Sequence, residues 1–186
     1  MLGFPLAFAL QALVLHGENL EDLPQWLGIA AVFLVVGPSE EIFKALLTRW
    51  RAGGTEGFAS PAEARMAGLA AAAGYTFLEH FGRFTTGGAP MHVLIMKATL
   101  GTSLHALAST IWGPALAGGA WLERAFLAGL VHGAYDAGAF LPAWSDAPQS
   151  WGIAAQVGVV VLLIPRLLAR QPAKAPESPE PRTERP

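Results

Sequence analysis

Glu40, Glu41 and Lys44 lie in the stretch GPSEEIFKALL (37–47), which follows the apolar run WLGIAAVFLVVGP and leads into more apolar residues. Further along, Glu79 and His80, then His105, then His132 and Asp136, each interrupt apolar sequence in the same way. A carboxylate or lysine charged at the centre of a membrane helix costs about 2.5–3.5 kcal/mol on insertion scales. Groups kept at that cost are expected to face one another across a bundle interior or a water-filled cavity. Buried acids and imidazoles around water can do hydrolytic chemistry. Burial and a second nearby carboxylate raise a glutamate's proton affinity until it can act as a general base on water, and imidazoles can hydrogen-bond a developing oxyanion or protonate a leaving group.

Helical spacing supports convergence. Glu40 and Lys44 are i,i+4 neighbours and can pair, as are Tyr75 and Glu79, and His132 and Asp136. Asp136 is placed to hold the His132 imidazole in one tautomer. Glu41 is turned about 100° from Glu40, so one of the two is expected to face the site and the other a neighbouring helix. Gly101, one turn before His105, is expected to open room around it. Pro38 removes a helical hydrogen bond just ahead of the glutamates, which predicts a kink or a new segment there.

These residues require membrane-length elements to carry them. The chain of 186 residues is 53% hydrophobic and 14% charged, with mean hydropathy +0.41, against about 25% charged residues in an ordinary soluble domain. The expected fold is all-α: a polytopic helical membrane bundle of about six spans over 1–170, followed by a disordered Pro-, Glu- and Arg-rich tail over 171–186. The spans are read as Leu2–His16, Leu23–Leu47, Ala62–Phe81, Met91–Trp112 (stopped by Gly113–Pro114), Trp121–Leu141 and Trp151–Leu168. Arg49, Arg51 and Arg65, then Arg124, then Arg166, Arg170 and Lys174 fall on one side of this arrangement. Both termini are therefore expected to be cytoplasmic in a cell membrane, with Arg83 and Lys97 snorkelling. Tryptophans 26, 112, 121, 144 and 151 are read as interface markers, and AGLAAAAG (67–74) as a helix-packing surface. Net charge is −2 with no basic stripe, which gives no support for nucleic-acid binding. The chain has no cysteine, so disulfides and thiolate metal sites are excluded.

Simpler readings exist for each group. The Glu40–Lys44 segment would be interfacial if its span ended at Gly37, and a helix rise of 1.5 Å per residue puts Glu79 and His80 nearer the outer face than the rest. His16 and His92, at span edges, are read as packing hydrogen-bonders.

Four motifs taken together resemble the PrsW family of intramembrane proteases, relatives of the CAAX-prenyl endopeptidases. EEIFK (Glu40, Glu41, Lys44) is similar to the family's EExxK, and YTFLE (Tyr75, Glu79) to its FxxxE with tyrosine for phenylalanine. HALASTIWG (His105 to Gly113) is similar to its histidine-to-glycine motif, and HGAYD (His132, Asp136) to its HxxxD. His80 departs from the pattern, which has asparagine after the glutamate. The resemblance implies hydrolysis of a peptide bond within or beside the bilayer, with a membrane protein or membrane-anchored peptide as substrate.

On this reading Glu40 is the base, Glu41 its supporting carboxylate and Asp136 the orienter of His132. His105 and His132 assist the oxyanion or the leaving amine, while Glu79, Lys44 and Tyr75 complete the site. No cofactor is favoured, because no HExxH is present. The alternative is zinc held by Glu40, His105 and His132, an adequate ligand set with an open fourth position. Two other classes use the same cluster: a transporter relaying protons or cations, and a non-enzymatic membrane partner. Neither inverted hydropathy symmetry nor paired broken helices support the first, and the full set of ionisable side chains argues against the second.

Overall fold

The computed structural model describes residues 20–52, 57–86 and 91–165. The first expected span and the tail lie outside these residues. Among the described residues every regular element is helical. A 3₁₀ turn at Leu20–Asp22 leads into α1, Gln25–Arg51. Then come α2 (Pro61–Thr86), α3 (Met91–Trp112), a 3₁₀ turn at Pro114–Ala117, α4 (Trp121–Trp144) and α5 (Gln149–Gly158). A π-helical turn at Val159–Leu163 continues α5. Helices cover the stretches expected as spans two to five and the described part of the sixth, Trp151–Leu168, but among the described residues only α1 is long and apolar enough to cross a membrane. Spans two, three and five run longer than expected, by four residues at Arg51, five at Thr86 and three at Trp144. By length and composition α1 is able to cross a membrane; its 27 residues give about 40 Å of helix at 1.5 Å per residue.

Local sequence explains the helix ends. Ser60 Oγ accepts the Glu63 N–H at 3.1 Å, and Glu63 Oε2 accepts the Ala59 N–H at 2.9 Å. This reciprocal cap, with Pro61 in the first turn, starts α2. Gly113–Pro114 ends α3 as expected, because proline cannot continue the hydrogen-bond ladder.

Pro38 does not break α1. The helix takes a π turn over Val32–Val36, and the Gly37 N–H bonds to the Val32 carbonyl five residues back. The wider turn comes directly before Pro38, and the helix continues through the glutamates instead of restarting. Such single-turn π segments are frequent at functional sites.

α1 crosses α4 at glycines. A Cβ at Gly37 would stand 2.7 Å from the Gly133 nitrogen, and one at Gly133 would stand 2.7 Å from the Val32 carbonyl oxygen. Gly129 meets Pro38 in the same way. The Gly129-x-x-x-Gly133 spacing lets backbone touch backbone, which brings Glu41 within reach of His132. Below this crossing the core is built from Ala45, Ala64, Ala108, Ala125 and Ala128, closed around Ile111, Trp112 and Leu116. Small residues allow the close approach, and the indole fills the volume they leave.

AGLAAAAG packs on only one of its faces. Gly68 and Ala72 are buried, Gly68 against Trp112 and Gly113 of α3 and its end. Ala67, Ala70, Ala71 and Gly74 instead line an apolar groove of about 560 Å³ between α1 and α2, with Lys44 and Tyr75 at its inner end.

Candidate active site

Four helices contribute to one cluster. α1 supplies Glu40, Glu41 and Lys44; α2 supplies Tyr75 and Glu79; α3 supplies His105; α4 supplies His132 and Asp136. Glu41, Lys44, His105 and His132 are all buried. The helical wheel puts His105, Ser109 and Trp112 on the face of α3 that α1 meets.

Glu41 is the hub. Its side chain is 0% exposed. Oε1 accepts a hydrogen bond from Lys44 Nζ at 2.5 Å and lies 3.0 Å from His132 Nδ1, while Oε2 accepts the Trp112 Nε1–H at 2.9 Å. A buried carboxylate with this many donors is compensated rather than orphaned. The i,i+4 spacing pointed to Glu40 as the partner of Lys44; the ion pair instead forms at i,i+3 with Glu41. Nor do the two glutamates part company as expected. Both reach His132, Glu41 at Nδ1 and Glu40 at Nε2 (3.7 Å), with Asp136 Oδ2 3.5 Å from that same Nε2.

His105 is held from both ends. Lys44 Nζ is 2.8 Å from its Nδ1, and Glu79 Oε2 is 3.0 Å from its Nε2. With Lys44 as an ammonium, which can only donate, Nδ1 is the acceptor and Nε2–H donates to Glu79. Tyr75 packs edge-on to His105 at 5.3 Å, Lys44 Nζ sits 4.3 Å above the Tyr75 ring, and the two imidazoles lie 4.9 Å apart, also edge-on. Glu79, which residue counting set toward the outer face, therefore belongs to the cluster: α2 starts at Pro61 and runs to Thr86, and its Glu79 turn passes His105 directly.

Sequence reading missed or misplaced several groups. Trp112 was taken as an interface marker, yet it is fully buried and bonded to Glu41. Its i,i+7 spacing from His105 was the available signal. Trp26 and Trp151 are exposed, as interface residues would be. Gly101 opens room for His80 rather than His105, since a Cβ there would meet His80 Cε1 at 3.5 Å. Gln156, a lone amide in an apolar helix, is buried beside the cluster.

Glu40, His105 and His132 each offer a donor atom, all within 4.8 Å of one another. Two imidazoles and a carboxylate are a hydrolytic zinc set. The charge balance also accommodates a cation, because the cluster holds four carboxylates (Glu40, Glu41, Glu79 and Asp136) and, among the described residues, a single ammonium, Lys44. By residue type and charge the site fits a divalent metal.

A helical bundle that gathers acids and imidazoles from four helices into its interior has the build of a membrane-embedded hydrolase. The family model for PrsW family intramembrane metalloproteases matches residues 1–168, and the chain belongs to that family. Comparison with curated proteins and with solved structures gave no match.

Proposed function

We propose that this protein is an intramembrane endopeptidase that cleaves a peptide bond of a membrane-embedded or membrane-anchored protein, with Glu40, His105 and His132 holding a divalent metal. The observation that carries this reading is the convergence of those three donors from three helices within 4.8 Å, in a chain of a metalloprotease family. When bound, such a metal lowers the pKa of its water toward neutrality and polarises the scissile carbonyl.

The chain's own groups do the rest. Glu41 fixes the His132 ring through Nδ1, the carboxylate–histidine arrangement that orients a ligand. Asp136 and Glu79 stand beside the two imidazoles, placed to accept a proton from water and return it to the leaving amine. Lys44 and Trp112 hold Glu41 in place. The apolar helices around the cluster hold back bulk water, which strengthens each of these interactions.

A second reading rests on His105. Both of its ring nitrogens are engaged, by Lys44 and Glu79, so ligation through Nε2 requires Glu79 to give way. Without a metal, Glu40 is the base on water, Glu41 its neighbouring carboxylate, and His105 and His132 the donors to the oxyanion. The missing HExxH favoured this route in the sequence; the family description and the donor set favour the metal. Metal analysis of purified protein, with cleavage of a single-span reporter before and after chelation, separates the two. Stoichiometric zinc with chelator-sensitive cleavage supports the first reading, and metal-free cleavage supports the second. Glu40→Gln abolishes cleavage on either, and a reporter cut equally well by that variant removes both.

The six-span bundle with both termini cytoplasmic is part of this proposal and rests on the Arg and Lys distribution. Reporter fusions at the two termini and at the 145–148 loop test it, with the loop expected on the opposite side from the ends.

A further inference from the structure

A polar cavity of about 300 Å³ adjoins the cluster on the side away from the apolar groove. Its polar walls are Glu79, His80, His105, His132, Asp136 and Gln156, drawn from α2, α3, α4 and α5. His80 and Gln156 have no part in the chemistry proposed above. His80 lies in the space that Gly101 leaves open, near the Tyr135 hydroxyl. Its Nε2 is buried and has no hydrogen-bond partner among the described residues. An imidazole nitrogen left unpaired in a protein interior carries a penalty of about 1–3 kcal/mol unless water or a ligand satisfies it. The cavity beside it has room for several waters, and its carboxylates and amide supply the two to four partners each water needs.

We propose that this cavity is the route by which water reaches the catalytic cluster, and that His80 is the positioning residue that anchors the water there through Nε2. The inference rests on the hydrolase reading for its purpose but not for its test. Water enters between α2, α3 and α4 and passes Glu79 and Asp136 to the two imidazoles. The groove on the other side, with its apolar walls and inner end closed by Lys44 and Tyr75, plays no part in this route. A Cβ at Gly101 would stand 3.5 Å from His80 Cε1, in ordinary contact, so the ring lies directly against this position of α3.

The chain has no cysteine, so a single introduced thiol reports local water without background. Only the thiolate reacts with a charged methanethiosulfonate reagent, and a thiolate forms only where water is present. Ala139 and Leu34 are both exposed, but Ala139 lines the cavity on α4, whereas Leu34 lies on the outer surface of α1. With the full chain in lipid nanodiscs, Ala139→Cys is expected to react at least about tenfold faster than Leu34→Cys, because only the former borders water. Adding His80→Leu brings the Ala139→Cys rate down toward the Leu34→Cys rate, and His80→Gln, which keeps a polar end, retains it. In reporter cleavage His80→Leu lowers kcat about tenfold with KM unchanged, and His80→Gln recovers most of it.

Equal, slow labelling at positions 139 and 34 shows a dry cavity and overturns the proposal, with no need for a His80 variant to fold. Fast labelling at 139 that His80→Leu leaves untouched, in a protein of unchanged melting temperature, removes His80 from the role. Labelling needs no turnover, so a protein that labels as expected but cuts no reporter leaves the water route standing and fails only the protease reading.

Discussion

The Trp112 indole donates a 2.9 Å hydrogen bond to Glu41, and both side chains are wholly buried. The bond joins α1 to the end of α3 and fixes the carboxylate that Lys44 and His132 also share. Glu41 is thus the structural centre of the cluster, while Glu40, with its side chain 14% exposed, is the glutamate with room for a reactant.

Trp112→Phe keeps the ring and removes the donor. A lost hydrogen bond to a charged, buried acceptor costs about 1.5–3 kcal/mol. Thermal or denaturant unfolding in detergent is expected to show that loss. Cleavage should fall along with it, through a displaced Glu41. An unchanged midpoint would mean that the indole serves only to fill space.

Removing Glu41 alone should be worse than removing its whole pair. Glu41→Gln takes away the carboxylate that Lys44 is paired with, and breaking a buried pair in this way costs about 3–5 kcal/mol. Replacing both, as Glu41→Gln with Lys44→Met, removes the uncompensated charge and should recover a large part of the stability. A double variant as unstable as the sum of the two singles would show that the pair is not coupled.

Asp136→Asn keeps the size of the side chain and removes its charge beside His132 Nε2, 3.5 Å away. Loss of a group that orients a ligand or polarises its site lowers metal affinity or activity about 10–100-fold. Zinc titration and reporter kinetics on the same preparation measure the two effects together. If the site works without metal, the kinetic loss appears with no metal to titrate.

Gly133→Val places side-chain carbons against the Val32 carbonyl and the Phe33 Cα. Backbone stands on the other side and cannot yield, so α1 and α4 must separate. The cost is expected to exceed the 1–3 kcal/mol or so of ordinary overpacking. The separation would carry Glu41 away from His132, and both protease resistance of the bundle and reporter cleavage should be lost. A folded, active Gly133→Val protein would refute the close crossing.

Much of the site was legible in one dimension because its cost is one-dimensional. An acid, a lysine or an imidazole inside apolar sequence has no cheap explanation, so Glu40, Glu41, Lys44, Glu79, His105, His132 and Asp136 stood out, and the i,i+4 rule already tied His132 to Asp136. The helices were legible too, from apolar blocks, one of them ended by Gly113–Pro114. The partner choices were not. Lys44 was free by spacing to pair on either side of its turn, and only the approach of Trp112 and His132 to Glu41 decided for i,i+3. Likewise Trp112 reads as a border residue until α1 and α2 close over it, and Gly101 serves His80 only because α2 lies against α3. Local patterning records which groups must leave lipid and water. Which of them meet depends on helix crossings set by Gly37, Gly129 and Gly133, and these are contacts between residues about a hundred positions apart that no local pattern can express.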